Sequence, residues 1–392
     1  MSGPNLVAWG GGETRVARAR QAEGALIVAW EGADTFALER AALPFRRLEQ
    51  VLGAEGLAGA EAAGRGFARV WARVPLSEGR SFRELVGWRG QSLLWACEAF
   101  QRTRTAATRG ARGAELCLRL LDVLEPRELD ACGLARADAV LLARACTVRG
   151  VLYHGTAPAP GPSRGDPAGL PPAARRGWLQ RLVRRRAAQS AGPGETTLLV
   201  ALVPGRAERA ALTPLLEAVA ADLWLRTLVL DTEERERFAN AATRRASQQA
   251  VAQLRATHDA LAGTPALATS YAHRGVGFAE LAAGDLALLL LGRLPEVVRG
   301  LETTLAMLAA LRPALLLAVE PEHDARRGLG LAAAAAGVPW VALRVDAAEQ
   351  DEPERADAGP HPALALTFLR GADPRPLVVR LREAARGRVG AS

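Results

Sequence analysis

Apolar residues in this chain gather into short continuous runs set between longer stretches of helical spacing, which predicts strands alternating with helices. The pattern is clearest in the second half. Residues 197–203 (TLLVALV) form an unbroken apolar run closed by Pro204-Gly205, as expected of a strand buried on both faces. Helical spacing over 208–220 leads to a second strand at 225–230. Asp231 stands as a helix cap with Glu234 three positions on, opening a helix through much of 233–261. Helices at 278–282 and 294–311 precede a repeated pair: strand 314–319, helix 326–336, a stop at Gly337 and strand 340–343. A polar, acidic surface loop at 347–358 and an amphipathic helix at 376–385 complete this half.

The first half is more helical. Its first expected strand is 25–30 (ALIVAW), followed by helical spacing at 35–52, 67–74, 92–103 and 115–124, with Trp88-Arg89-Gly90-Gln91-Ser92 opening one of these helices. A weaker strand near 128–131, a helix at 137–149, a stop at Gly150 and a strand at 151–154 close the half. Gly10-Gly11-Gly12 precedes the first strand in this reading and so forms no dinucleotide fingerprint. Residues 156–172 are dense in proline and glycine and read as a linker. The fold class expected is α/β, in two halves. A mostly parallel, Rossmann-like sheet lies in the C-terminal half, and the N-terminal half is a more helical α/β domain. The domains expected are 1–155, a linker with a basic amphipathic helix at 156–195, and a Rossmann-like domain at 196–392.

Composition refines this picture. Hydrophobic residues make up 49% of 392 and charged residues 23%, which excludes wholesale disorder and allows two cores. All 50 basic residues are arginine and the net charge is +8, which suits anionic partners such as nucleotide sugars, nucleic acid or acidic headgroups. Cys97, Cys117, Cys132 and Cys146 form no CxxC pair and lie in apolar stretches, as buried residues of a reducing compartment do. Nothing resembling a signal peptide opens the chain, and no apolar run is long enough to span a bilayer. A cytoplasmic protein without metal or cofactor is expected.

Ligands of open parallel sheets bind beyond the carboxyl ends of strands, and those positions can be enumerated. Glu320-Pro321-Glu322-His323-Asp324 is the densest. Glu320, Glu322 or His323 would serve as general base toward an acceptor hydroxyl, while Asp324 and Glu322 equally suit the start of the next helix. Gly205 and Arg206 suit a phosphate, or form a plain tight turn. Asp231, His154, His273 and Arg344 complete the candidate ligand contacts. His273 sits in a polar loop, Ser270-Tyr271-Ala272-His273-Arg274-Gly275, that breaks a helical region. His258 falls on the face of Leu254 and Leu261 and reads as a core or boundary residue.

Trp178 with Arg181, Arg184, Arg185 and Arg186 has the pattern of an interfacial helix on an anionic membrane. A domain-bridging helix and a phosphate-binding patch are the competing readings. Nucleic acid ranks last, because no recognition motif accompanies the charge.

The stretch 88–109 (WRGQSLLWACEAFQRTRTAATR), with the segments 125–132 and 137–154 beyond it, is similar to the N-terminal region of GT-B-type glycosyltransferases of bacterial surface-carbohydrate synthesis. Their G-x-S-L-W phrase corresponds here to Gly90-Gln91-Ser92-Leu93-Leu94 with Trp95 one place later, and their closing strand to Arg149-Gly150-Val151. Residues 311–343 resemble the phrase that in these enzymes leads to a Gln-His-Gly signature. Here Arg344-Val345-Asp346 stands in its place, and the chain ends about fifty residues later, too few for a second Rossmann-like domain. The resemblance covers roughly a third of the chain. It implies a protein that binds a nucleotide sugar or glycan acceptor in surface-polysaccharide synthesis, and the basic helix at 178–186 adds a place peripheral to the inner face of the membrane. Two readings stay open: an enzyme, or a non-catalytic binding or scaffold protein of the same lineage docked on an anionic membrane surface.

Overall fold

The computed structural model describes residues 4–12, 24–77, 79–94, 96, 99–155, 197–203, 206–221, 225–262, 264–320, 327–345, 364–368 and 373–386. The chain divides into two compact units. The first comprises Met1–Phe82, Arg102–Asp166 and Asp259–Ala287, the second Arg83–Gln101, Pro167–His258 and Leu288–Ser392.

The first unit is built on a five-stranded sheet of β1 (Asn5–Trp9), β2 (Leu26–Ala29), β3 (Phe45–Arg47), β4 (Glu128–Cys132) and β5 (Leu152–His154). Every pairing is parallel and the order is β3-β2-β1-β4-β5. Central β1 is apolar on both faces, with Leu6, Val7, Ala8 and Trp9 all buried. The principal helices are α1 (Leu48–Val70), α2 (Ala99–Leu124, which enters this unit at Arg102) and α3 (Arg136–Arg149). α1 is broken at Gly53, whose φ of 64° and ψ of −179° lie outside the helical region and favour a residue without Cβ. α3 ends where the sequence placed its stop, at Gly150 with φ 68°.

The second unit holds a sheet of β6 (Thr197–Leu202), β7 (Leu225–Leu230), β8 (Leu315–Glu320), β9 (Trp340–Val345) and β10 (Leu364–Phe368), again all parallel, in the order β7-β6-β8-β9-β10. Alternate residues of its strands point to opposite faces. Leu199, Ala201, Leu315, Leu317, Val341 and Leu343 pack under α4 (Thr213–Ala220) and α8 (Arg375–Ala385). Val200, Leu202, Leu316, Ala318 and Ala342 pack under α6 (Leu294–Leu311) and α7 (Arg327–Ala335). Each buried leucine contributes about 1.5–3 kcal/mol, so this two-sided core is what holds the sheet. α5 (Ala241–Ala262) begins at Asn240, whose Oδ1 accepts from the Thr243 N–H at 3.0 Å.

The α/β architecture with a parallel, Rossmann-like sheet in the C-terminal half stands as read from the sequence. The N-terminal half carries a five-stranded parallel sheet of its own, which refines its reading as a more helical α/β domain. Three further readings are corrected. β1 precedes the strand taken as first, so Gly10-Gly11-Gly12 follows a strand. Trp88-Arg89-Gly90-Gln91-Ser92 forms a hairpin rather than a helix start. Residues 35–52 contain a short helix and the edge strand β3 before α1 begins.

Candidate functional site

Strand order in the second sheet reverses between β6 and β8, which are direct neighbours with Leu202 opposite Ala318. Connections leave adjacent carboxyl ends in opposite directions at such a point, and the crevice between them is where open α/β sheets take ligands. β6 leads through buried Val203 toward Arg206, the first residue of the helix Arg206–Ala211. β8 ends at Glu320, in register with Arg344 of β9. Three of the candidate residues, Arg206, Glu320 and Arg344, thus lie along one carboxyl edge. Gly205, Glu322 and His323 fall outside the described residues, as do Trp178, Arg181, Arg184, Arg185 and Arg186.

Asp231 follows β7 on the same edge and caps the helix Thr232–Glu236. Its Oδ1 accepts from the Glu234 N–H at 2.8 Å, and Glu234 Oε2 accepts from the Asp231 N–H at 3.0 Å. Arg209 donates to Glu234 at 2.7 Å and to the Val229 carbonyl at 3.0 Å, which ties this corner together. His154 and His273 belong to the first unit. His154 ends β5 with its Nε2 3.4 Å from Glu128, both half exposed. His258 is half-buried, as its helical face predicts.

The corresponding reversal in the first sheet lies between β1 and β4. There the Gly10 N–H donates to the Cys132 carbonyl at 2.7 Å, and a Cβ on Gly10 would stand 2.3 Å from the Gly133 oxygen. The two strand ends close on each other with no room for a methyl group between them.

Two buried glutamates were not singled out from the sequence. Glu302 on α6 accepts from Trp88 Nε1 at 2.9 Å and from both Nε and a terminal nitrogen of Arg89, at 3.0 and 2.9 Å. This fork holds the Arg89 guanidinium even more firmly protonated than usual. In the first unit, Glu115 on α2 meets His273 Nε2 at 2.8 Å, Arg119 at 2.7 Å and Arg274 at 3.2 Å. Burial raises the Glu115 pKa, but the hydrogen bonds from His273, Arg119 and Arg274 outweigh it and the net shift is downward. The signal in the sequence was a lone acid in an otherwise apolar helical stripe, as Glu302 is between Val298 and Leu305.

Arg89 and Glu302 also line a cavity of about 680 Å³ in the second unit, with Asn240, Thr243, Arg312 and Val338. Arg312-Pro313 leads into β8 and Val338 into β9, so this cavity opens at the amino ends of the strands, opposite the switch point. Among the described residues, no group of three His, Cys, Asp or Glu is placed to hold a metal ion, and no helix is long and apolar enough to cross a membrane. Cys117, Cys132 and Cys146 are buried and, among the described residues, form no disulfide.

No protein-family model matches the chain, and no curated protein matches it. Among solved structures it has a likeness to the glycosyltransferase SnogD from Streptomyces nogalater, with 16% identity over 99% of this chain and 94% of that one, at a TM-score of 0.21. At so low a TM-score the likeness assigns neither a fold nor an activity.

Proposed function

We propose that this chain is a glycosyltransferase-like protein that binds a nucleotide sugar at the carboxyl edge of its second sheet and acts in surface-polysaccharide synthesis. The reading rests on one observation: the strand-order reversal between β6 and β8 falls between the two densest candidate motifs, Pro204-Gly205-Arg206 and Glu320-Pro321-Glu322-His323-Asp324. In this proposal Arg206 faces the diphosphate and offsets the charge that grows on the leaving oxygen. One of Glu320, Glu322 and His323 takes the proton from an acceptor hydroxyl as its oxygen attacks the anomeric carbon. The bond from that carbon to the phosphate oxygen breaks, and its electron pair leaves with the nucleoside diphosphate. Arg344, on the neighbouring strand, is assigned to the donor sugar or acceptor.

Calorimetric titration of the full chain with a panel of nucleoside diphosphate sugars tests this directly. One donor class should bind, and Arg206→Ala should weaken it about tenfold or more, the scale of a charge-assisted contact. Glu320→Gln should retain binding. Absence of binding across the panel at millimolar concentration would sink the proposal. Binding without transfer to any glycan acceptor would select the non-catalytic member of the pair of readings.

A further inference from the structure

Residues 86–96 and 271–281 are built alike. In the first stretch Gly87 pairs with Ser92 and Trp88 with Gln91; in the second Ala272 pairs with Gly277 and His273 with Val276. Both turns are Arg-Gly with positive φ at each residue: 48° and 78° at Arg89 and Gly90, 49° and 87° at Arg274 and Gly275. The hairpins are closed in the same way, Leu93 N–H donating to the Val86 carbonyl at 2.9 Å and Phe278 N–H to the Tyr271 carbonyl at 2.7 Å. Three residues on, Ala96 donates to Leu93 and Leu281 to Phe278. Each hairpin then offers its arginine and the residue before it to one buried glutamate, Glu302 for Trp88-Arg89 and Glu115 for His273-Arg274.

The likeness continues at one constant interval along the chain. Ten residues after its glutamate, each long helix ends on a non-glycine residue in the left-handed region, Glu125 at φ 44° and Arg312 at φ 47°, with Pro126 or Pro313 next. Their N–H groups donate to the Leu121 and Leu308 carbonyls, at 2.9 and 2.8 Å. A strand and a helix come next, then Gly150 and Gly337 at φ 68° and 65°, and Val151 and Val338 donate back to Cys146 and Ala333, both at 2.9 Å. The left-handed conformation costs a non-glycine residue about 1–2 kcal/mol. Of the five such residues described, Ala42, Arg89, Glu125, Arg274 and Arg312, four fall into matched pairs. Chance does not place them so. The sheets agree as well: β2-β1-β4-β5 and β7-β6-β8-β9 share one order, while β3 and β10 are additions at opposite edges.

One feature breaks the simple repetition. Arg83–Gln101, with the first hairpin, belongs to the unit that holds the second sheet, and Asp259–Ala287, with the second hairpin, to the unit that holds the first. We infer that the chain is an internal duplication of one α/β module whose two copies have exchanged their Arg-Gly hairpins, and that Trp88-Arg89 on Glu302 and His273-Arg274 on Glu115 are equivalent latches holding the exchanged segments. A buried carboxylate needs partners, and each copy draws its partners from the other copy's hairpin. Each half of the chain therefore completes the other's core.

Hydrogen–deuterium exchange on the full-length chain tests the latches. Arg89→Met should speed exchange in peptides covering 86–96 about three- to fivefold and leave 271–281 unchanged to within about 1.5-fold. Arg274→Met should give the mirror result with a similar size. Arg89→Lys and Arg274→Lys keep the charge but lose the fork, and should show the same pattern more weakly, which keeps the test alive if a methionine variant fails to fold. The inference is overturned if either arginine can be replaced with no change in its own hairpin, or if the two variants disturb both stretches alike.

Discussion

Removing the carboxylate of Glu302 strikes a group whose two partners differ sharply in burial, and that difference sets the expected cost. Trp88 is buried at 4% exposure and its Nε1–H donates to Glu302 Oε1, so in Glu302→Ala an indole donor is left without an acceptor. An orphaned buried donor costs about 1–3 kcal/mol. Arg89 is different: its side chain is 51% exposed and recovers water when released, so its share is discounted to below about 1 kcal/mol. The sum is about 1–4 kcal/mol. With a urea m-value of about 2–3 kcal/mol/M for a unit of this size, the second unit's midpoint should fall by about 1 M. In a Trp88→Phe background the donor is already gone, and the same Glu302→Ala change should cost about 1–2 kcal/mol less. Urea titration followed by tryptophan fluorescence, fitted transition by transition, measures all four corners of this cycle. Equal cost of Glu302→Ala in both backgrounds would refute the assignment of its stabilising role to the indole.

Glycine positions give a second check, because their environments predict opposite signs. Gly10→Ala drives a methyl group to 2.3 Å from a backbone oxygen that cannot swing aside, and thermal unfolding should show a loss of about 1–3 kcal/mol. Gly66→Ala, on α1 with open space around it, should stabilise by about 0.5–1 kcal/mol. The depressed pKa of Glu115 predicts a pH effect of definite sign. Its contribution is fully present above the ordinary glutamate value of 4.5 and is lost as pH falls from there through the lowered folded value. Glu115→Gln should therefore flatten the stability-against-pH curve below pH 4.5, and an unchanged acid limb would contradict the three-partner arrangement.

Much of the second half was legible because its strands are long apolar runs bounded by strong punctuation. TLLVALV, the Asp231–Glu234 capping box, and the stop at Gly337 each carry their structure locally. Elements whose stability comes from distant partners were not legible. β1 has only five residues, and its burial depends on pairing with β2 and β4. β3 exposes Arg46 and Arg47 and lacks any alternating pattern. Leu364–Phe368 is as short as β1, and its place in the sheet depends on the ladder with β9. The Arg-Gly hairpins escaped notice because arginine replaces the Asn, Asp or Gly that marks such turns, and each arginine holds its strained φ while fixed to a buried carboxylate far away in sequence. The candidate site was legible as a set of strand ends. Asp231 proved to be the cap its spacing predicted, whereas the two glutamate centres depend on contacts no local pattern encodes.

The claim that the second unit's switch point is the ligand site is tested most directly by exchange protection on binding. A nucleoside diphosphate sugar added to the full chain should slow exchange in peptides covering 203–211 and 316–330, at the carboxyl ends of β6 and β8. Protection confined to the opposite end of the sheet, in peptides covering 240–246 and 309–314 beside the 680 Å³ cavity, would contradict it.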